Sequence, residues 1–548
     1  MLKDIFKKQI NSITVAAALV AISSLASRLL GVFRDRILAG KFGAGQELDI
    51  YYAAFKIPDL IYGLIVLGAL SAGFIPVFTK LIKDYKCDKK SSVENYQVNK
   101  EAWLLSSNVL TILFFALALL SILGFIFAPF LTKIVAPGFN LTDQALTARL
   151  TKIMFLSPIL LGLSGIFGGM LQSFKRFLVY SLAPIFYNLG IIFGAIYLVD
   201  IYGQVGLAWG VVLGALLHLL IQIPTIYSLG FRYSFRFSWK EKNVLTIFKV
   251  MLPRMMSLAI SQVNLLVITA LASSLATGSL TVFNLANNLQ SFPVGIFGIS
   301  FAVAAFPSLA AAAFNKDSLA KSFSQAFRQI LFFIVPATVF MIILRAQIVR
   351  IVFGTGNFSW QDTILTMNTL AFFSMSLFAQ ATIPLLVRVF YARHNSKTPF
   401  YLGLITVFVN IILSLFFSKT MGVAGLALAF SLSSILNFLL LFFWLYLETR
   451  AIKFQEIVFS VAKFSIAAIL AGLGAQATKY LVWPYIDMTR FSGVFIQLIS
   501  AVFVGILLYV LICYLLRSAE LLDFMESLKR RFPFKKVKLD DQGEARGL

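Results

Sequence analysis

Arg28, Arg34, Asp35 and Arg36 stand in the stretch "SRLLGVFRDRILAGKFGAG" (27–45), near the end of the first long apolar run of the chain. A charged side chain in hydrocarbon costs on the order of a few kcal/mol, so each of these residues needs a partner or a task. On a helix, Ser24, Arg28, Gly31 and Asp35 share one stripe, while Ser27 and Arg34 form a second stripe about 100° around. If the first span enters the membrane near residue 14, Arg28 lies about 21 Å along it at 1.5 Å per residue. That is too deep to snorkel to either surface. A guanidinium in such a place suits an anion, and phosphate is the group it matches with two parallel hydrogen bonds. Arg34 and Asp35 lie nearer the outer edge, where snorkelling or a local Arg–Asp pair serves equally well. Asp49, Lys56 and Asp59 follow around Pro58 in the second span. Lys56 is buried by pattern, and a neighbouring carboxylate is its plainest partner.

A second group of polar residues is uncharged. "SQVNLLVI" (261–268) is followed by Asn284, Asn287, Asn288 and Gln290, and Arg254 stands in "MLPRMM" at the start of another span. A cavity built from both groups is cationic on one wall and amide-lined on the other. Catalytic chemistry is poorly represented. The two histidines are His218, inside a span as a helix contact or a proton relay, and His394 in "FYARHNSKTPF". No H-E-x-x-H, CxxC or GxSxG pattern occurs, nor a Walker A loop, so neither an enzyme nor an ATP-driven pump is expected. The two cysteines, Cys87 and Cys513, make neither a disulfide framework nor a zinc site. No metal and no cofactor is expected.

The elements that must carry these residues are membrane helices. The chain is 59% hydrophobic and 13% charged over 548 residues, with a mean hydropathy of +0.88; soluble domains average about 25% charged. Apolar stretches long enough to cross a roughly 30 Å core recur from end to end. The fold class is an all-α polytopic membrane protein, and the ten-residue alternation of a β-barrel is absent. Fourteen spans are expected, near 13–38, 51–78, 103–130, 150–172, 178–199, 205–228, 248–275, 281–309, 326–353, 364–392, 398–418, 422–448, 456–481 and 491–516. The first apolar stretch outruns a signal-peptide core and reads as a retained span. Lysine and arginine cluster after even-numbered spans, as in the 79–101 loop, whereas 200–204, 276–280 and 354–360 contain neither. Both termini therefore face the cytoplasm. The same asymmetry accounts for the net charge of +24 without nucleic acid. The tail "KRRFPFKKVKLDDQGEARGL" reads either as an ordinary basic flank or as an attachment to anionic lipid.

The chain also repeats. "GQVGLAWGVVLGALLHLLI" (203–221) matches "GVAGLALAFSLSSILNFLL" (422–440), and residues 51–78 loosely parallel 283–309, with Ala53 over Ala286. Two copies of a six-helix unit in one orientation follow, a parallel repeat around a central cavity. The expected organisation is an N-terminal lobe at 1–230, a second lobe at 245–451, two appended helices at 452–517 and a basic tail at 518–548.

"SRLLGVFRDRILAGKFGAGQELDIYYAAFKIPDL", "FPVGIFGISFAVAAFPSL" and "RVFYARHNSKTPF" resemble the MurJ/MviN family of lipid II flippases, within the multidrug/oligosaccharidyl-lipid/polysaccharide exporter superfamily. The likeness extends over nearly the whole chain, through "VAPGF" (135–139) and "LQSFKRFLVYSLAPIFYN" (171–188). It implies translocation of the undecaprenyl-pyrophosphate-linked peptidoglycan precursor, lipid II, from the inner to the outer leaflet by alternating access. Membrane lipids are further partners, with a coupling ion or the membrane potential as driving force. It also implies that the last two spans form a groove for the lipid tail. By motif, Ser27, Arg28, Arg34, Asp35, Asp49 and Lys56 match polar positions of the family's first two spans; Arg254, Asn287 and Asn288 complete the expected substrate-binding set. The chain departs from the family pattern near Tyr62 and Gly63, where many members carry an Arg-Arg pair and a glutamate, and at Asn288, where an arginine is frequent. The alternatives are a flippase for another undecaprenyl-linked polysaccharide unit and a cation-coupled drug exporter, which would need acidic cavity residues.

Overall fold

The computed structural model describes residues 13–67, 73–83, 100–449 and 454–531. Among these residues there is no β-strand, and the regular structure is helical throughout. Helices α1 (Ile13–Phe42), α2 (Gln46–Tyr62) and α3 (Ile75–Lys83) are followed by α4 (Lys100–Val135), α5 (Leu141–Met154) and α6 (Leu156–Ser173). Next come α7 (Phe177–Phe193), α8 (Val205–Leu220), α9 (Lys242–Ser273), α10 (Ser279–Pro293) and α11 (Ser300–Ala312). The remainder comprises α12 (Lys316–Ile343), α13 (Arg345–Phe353), α14 (Trp360–Ser374), α15 (Leu377–Ala392), α16 (Lys397–Thr449), α17 (Phe454–Val482), α18 (Phe491–Leu515) and α19 (Ala519–Arg531).

Among the described residues, ten helical stretches are long and apolar enough to cross a membrane, and the pair α14 and α15, bent by 46°, makes an eleventh. One of the ten, α16, runs for 53 residues and is broken at Gly422 (φ 58°, ψ −136°), so it holds two crossings. With α1 and the interrupted run from α2 to α3, the architecture accommodates the fourteen expected spans.

Proline and π-helical turns interrupt the spans, and two of the carbonyls that prolines release find side-chain partners, as hydrocarbon favours. Pro58 cannot donate to the Ala54 carbonyl, and the Thr151 hydroxyl donates to that oxygen at 3.2 Å. Pro336 frees the Phe332 carbonyl, which accepts from Tyr509 Oη at 2.7 Å. The repeat reappears as backbone conformation. Gly203 (φ 60°, ψ −149°) and Gly422 adopt the same left-handed geometry, 219 residues apart as in the sequence match. π-Helical segments at Gly63–Leu67 and Val294–Ile299 likewise fall at corresponding places in the second and eighth spans.

The described residues form two compact units. The first contains the chain up to Phe292 with Arg345–Ser376 and Asn395–Leu441; the second contains Pro293–Leu344, Leu377–His394 and the chain from Phe442. In the first unit α7 and α8 meet backbone to backbone. A Cβ on Gly190 would lie 2.3 Å from the Gly214 Cα, and one on Gly194 would lie 2.4 Å from that of Gly210. Small residues allow this approach, which drives helix association in lipid. Apolar side chains including Phe74, Phe78, Leu105, Met170 and Phe174 fill one core of this unit, and Leu38, Leu48, Leu150, Ile191 and Leu207 fill another. In the second unit α17 and α18 pack together and against α12 through Phe332, Phe464 and Tyr509. Arg328 of α12 also pairs with the buried Glu520 of α19 at 3.4 Å.

Candidate functional site

In the first unit, Arg34 and Asp35 of α1 meet amide side chains from other helices. Arg34 donates from Nη2 and Nε to Asp35 Oδ1 at 2.7 and 3.0 Å, so the local pair is formed. Its Nη1 donates to Asn188 Oδ1 at 3.1 Å. Asp35 is 2% exposed, and its second oxygen accepts from Asn288 Nδ2 at 2.9 Å. Asn188 in turn donates to the backbone oxygens of Pro184 at 3.0 Å and Ser27 at 3.5 Å. A buried carboxylate with both oxygens occupied is stable in a low-dielectric place, and it neutralises one guanidinium. Arg34 is therefore spent largely on structure.

Arg28 is different. It is half-buried on α1, and among the described residues it has no hydrogen-bond or ion-pair partner. The cation that the sequence left without a partner on its own helix has none from other helices either. Lys56 lies on α2 and donates to Asn284 Oδ1 at 3.3 Å, a neutral acceptor that leaves its charge uncompensated by that contact. Asn287 accepts from Gln290 at 2.9 Å, and Arg254 is exposed on α9; neither joins the Arg34–Asp35 contacts.

Asp49 of α2 meets the start of another helix. It is buried, and its carboxylate accepts from the Gly278 and Thr281 backbone N–H groups and the Thr281 hydroxyl, each at 2.7 Å. It thus caps the first turn of α10, where N–H groups lack intrahelical partners. Other contacts lie at the same end of α1. The Arg36 guanidinium donates to the Ile351 and Val352 carbonyls, and the Asn357 N–H donates to the Gly40 carbonyl at 2.8 Å. Asp362 closes a capping box on α14, and the Ala44 N–H donates to its Oδ2 at 3.4 Å. Together these contacts hold the α1–α2 turn to the turns before α10 and α14.

A cavity of about 240 Å³ opens beside Arg34, lined by Asp59, Tyr62, Ser157, Tyr187 and His218 among others. His218 is a helix contact: its Nδ1 meets the Ser164 hydroxyl at 2.6 Å. Asn188 and Tyr187 escaped the sequence reading. Their signal was an asparagine four residues after Pro184 within an apolar span, which is weak by itself. No group of three metal-ligating side chains occurs among the described residues.

Many membrane-crossing helices, interrupted where charged and amide side chains meet, are the build of a polytopic membrane transporter. The family model described as lipid II flippase MurJ matches residues 38–511, and the chain belongs to that family. A probable lipid II flippase MurJ of Buchnera aphidicola is 31% identical over 493 residues, covering 89% of this chain and 93% of that protein. The one of Vibrio cholerae is 30% identical over 480 residues, covering 85% and 88%. Among solved structures, lipid II flippase MurJ in an inward closed conformation superposes with a TM-score of 0.74 at 23% identity, covering 93% of this chain and 99% of that one. An inward-facing multidrug resistance MATE family transporter gives 0.63 at 14% identity, covering 80% and 98%. The two likenesses concern the fold.

Proposed function

We propose that this protein carries lipid II, an undecaprenyl-pyrophosphate lipid, from the inner to the outer leaflet of the bacterial cytoplasmic membrane. The observation that carries this reading is the Arg28 guanidinium, which has no hydrogen-bond or ion-pair partner among the described residues and shares α1 with the neutralised Arg34–Asp35 pair. Lys56, held by the Asn284 amide with the Asp59 carboxylate one turn along, lies on the next helix. Family membership supports the substrate class.

In this proposal the lobes at 1–230 and 245–451 alternate in access, both termini are cytoplasmic, and the helices at 452–517 guide the lipid tail. Asp49, Arg36 and the Gly40 and Ala44 contacts close the outer side. The membrane potential or a coupling ion supplies the driving force. The test is depletion of the resident flippase in a bacterial host, with rescue by this chain, scored by precursor exposure at the outer leaflet. Growth with restored exposure supports the reading. Stable, membrane-inserted protein that exposes no precursor refutes it.

A further inference from the structure

The segment "FRYSFRFSWK" (231–240) belongs to neither the charged site nor a span. It alternates aromatic residues with basic or hydroxyl ones, and it is pinned along α4. The Ser238 N–H donates to Asn108 Oδ1 at 2.8 Å, and Asn108 Nδ2 donates back to the Ser238 carbonyl at 2.8 Å. Tyr233 Oη meets the Thr111 hydroxyl at 2.9 Å. Tyr233, Phe235, Phe237 and Trp239 are each 53–71% exposed. Phe235 and Phe237 stand edge-on to Phe115 of α4, with centroids 6.5 and 5.8 Å away. Arg232, Arg236, Lys240 and Lys242 bring four positive charges, against which Glu241 contacts Arg236 at 3.8 Å. Exposed aromatics interleaved with cations are the composition of a headgroup-level surface.

Beside this segment, Ile65 and Phe74 of the second span join α4, α6 and α9 around a cavity of about 340 Å³ lined by apolar side chains, including Ile112, Leu113, Ile247 and Met251. Its rim includes Phe248 and Leu252, which are 44% and 62% exposed, and Ala116, adjacent to Phe115. The cavity is therefore open where exposed apolar side chains of α9, a helix long and apolar enough to cross a membrane, line it. Its volume is little more than twice the roughly 150 Å³ of a dry apolar cavity that holds benzene. That is room for part of one acyl chain, and too little for the far longer polyprenyl tail.

We propose that this is a binding site for an anionic glycerophospholipid, with one acyl chain in the cavity and the phosphate against Arg232, Lys240 and Lys242. Charge selects the headgroup, and the apolar lining selects the chain. The site shares no residue with the contacts around Arg34, so it stands or falls independently of the transported substrate.

The test uses the full chain in phosphatidylcholine nanodiscs containing phosphatidylglycerol with a photoactivatable acyl chain, the adducts being mapped by peptide mass spectrometry. Adducts are expected on residues 109–116 and 244–255, displaced by unlabelled phosphatidylglycerol and not by added phosphatidylcholine. Filling the cavity by Ala116→Phe should lower labelling about tenfold. Arg232→Gln, Lys240→Gln and Lys242→Gln should each reduce the preference for the anionic lipid by up to about fivefold. Wild-type protein without adducts in both segments overturns the proposal, as does equal displacement by phosphatidylcholine. Displacement by undecaprenyl phosphate but not by phosphatidylglycerol also overturns it, by assigning the cavity to a polyprenyl tail. If Ala116→Phe does not yield monodisperse protein, the wild-type displacement series decides alone.

Discussion

Arg28 and Arg34 sit six residues apart on one helix and have opposite fates. Arg34 is held by Asp35 and Asn188, whereas Arg28 has no partner among the described residues. A charge-assisted contact to phosphate contributes roughly 1.5–3 kcal/mol. Arg28→Ala should therefore reduce transport about ten- to a hundredfold at normal protein level, measured by precursor exposure beside an immunoblot. Arg28→Lys should recover part, because an ammonium keeps the charge without the bidentate fork. Full activity of Arg28→Ala would remove the central support for the proposed function. The neighbouring pair behaves differently. Removing one member of a buried pair strands the other, at a cost of about 3–5 kcal/mol. Asp35→Asn should accordingly lower the melting temperature in detergent well below that of Arg28→Ala. Equal melting of the two variants would mean that the Arg34–Asp35 pair does not stabilise the fold.

At the level of elements, the turn between α1 and α2 is tied to neighbouring turns by backbone contacts. A Cβ placed on Gly40 would lie 3.6 Å from the Thr355 Cβ, within the separation that a disulfide spans. Gly40→Cys with Thr355→Cys should therefore cross-link under oxidation. If this end must open for the lipid to leave, the oxidised protein stops transporting and reductant restores it. Transport that continues in fully cross-linked protein rules out opening at this point. Asp49 shows how contacts can lie beyond what an element's own sequence reveals. Acidic and near a span boundary, it looked like part of a binding set, yet its oxygens accept from Gly278 and Thr281. An aspartate that caps a helix and one that meets a ligand are alike in sequence, because the difference lies in an N-terminus 229 residues away.

For the whole molecule, the lysine asymmetry predicts sidedness. A single cysteine at Tyr485, 87% exposed after the thirteenth span, should react with an impermeant maleimide in intact cells. One at Phe314, 76% exposed after the eighth span, should react only after permeabilisation. The reverse pattern would invert the topology and the direction of transport with it. Cys87 and the basic tail from 532, which bear on the same question, lie outside the described residues. The helical class, the span pattern and the repeat were legible because transfer into hydrocarbon is decided locally, residue by residue, and charge asymmetry is additive along the chain. The repeat was legible for a related reason: Gly203 and Gly422 must both adopt positive φ, and such positions hold glycine in each copy. Which arginine Asp35 pairs with is visible only in three dimensions. Asp35 had Arg28 on its own stripe and Arg34 beside it, and it pairs with Arg34 while Asn288, 253 residues away, occupies its other oxygen. Hydropathy depends on what a residue is, whereas a partner depends on which distant helix the fold brings within 3 Å.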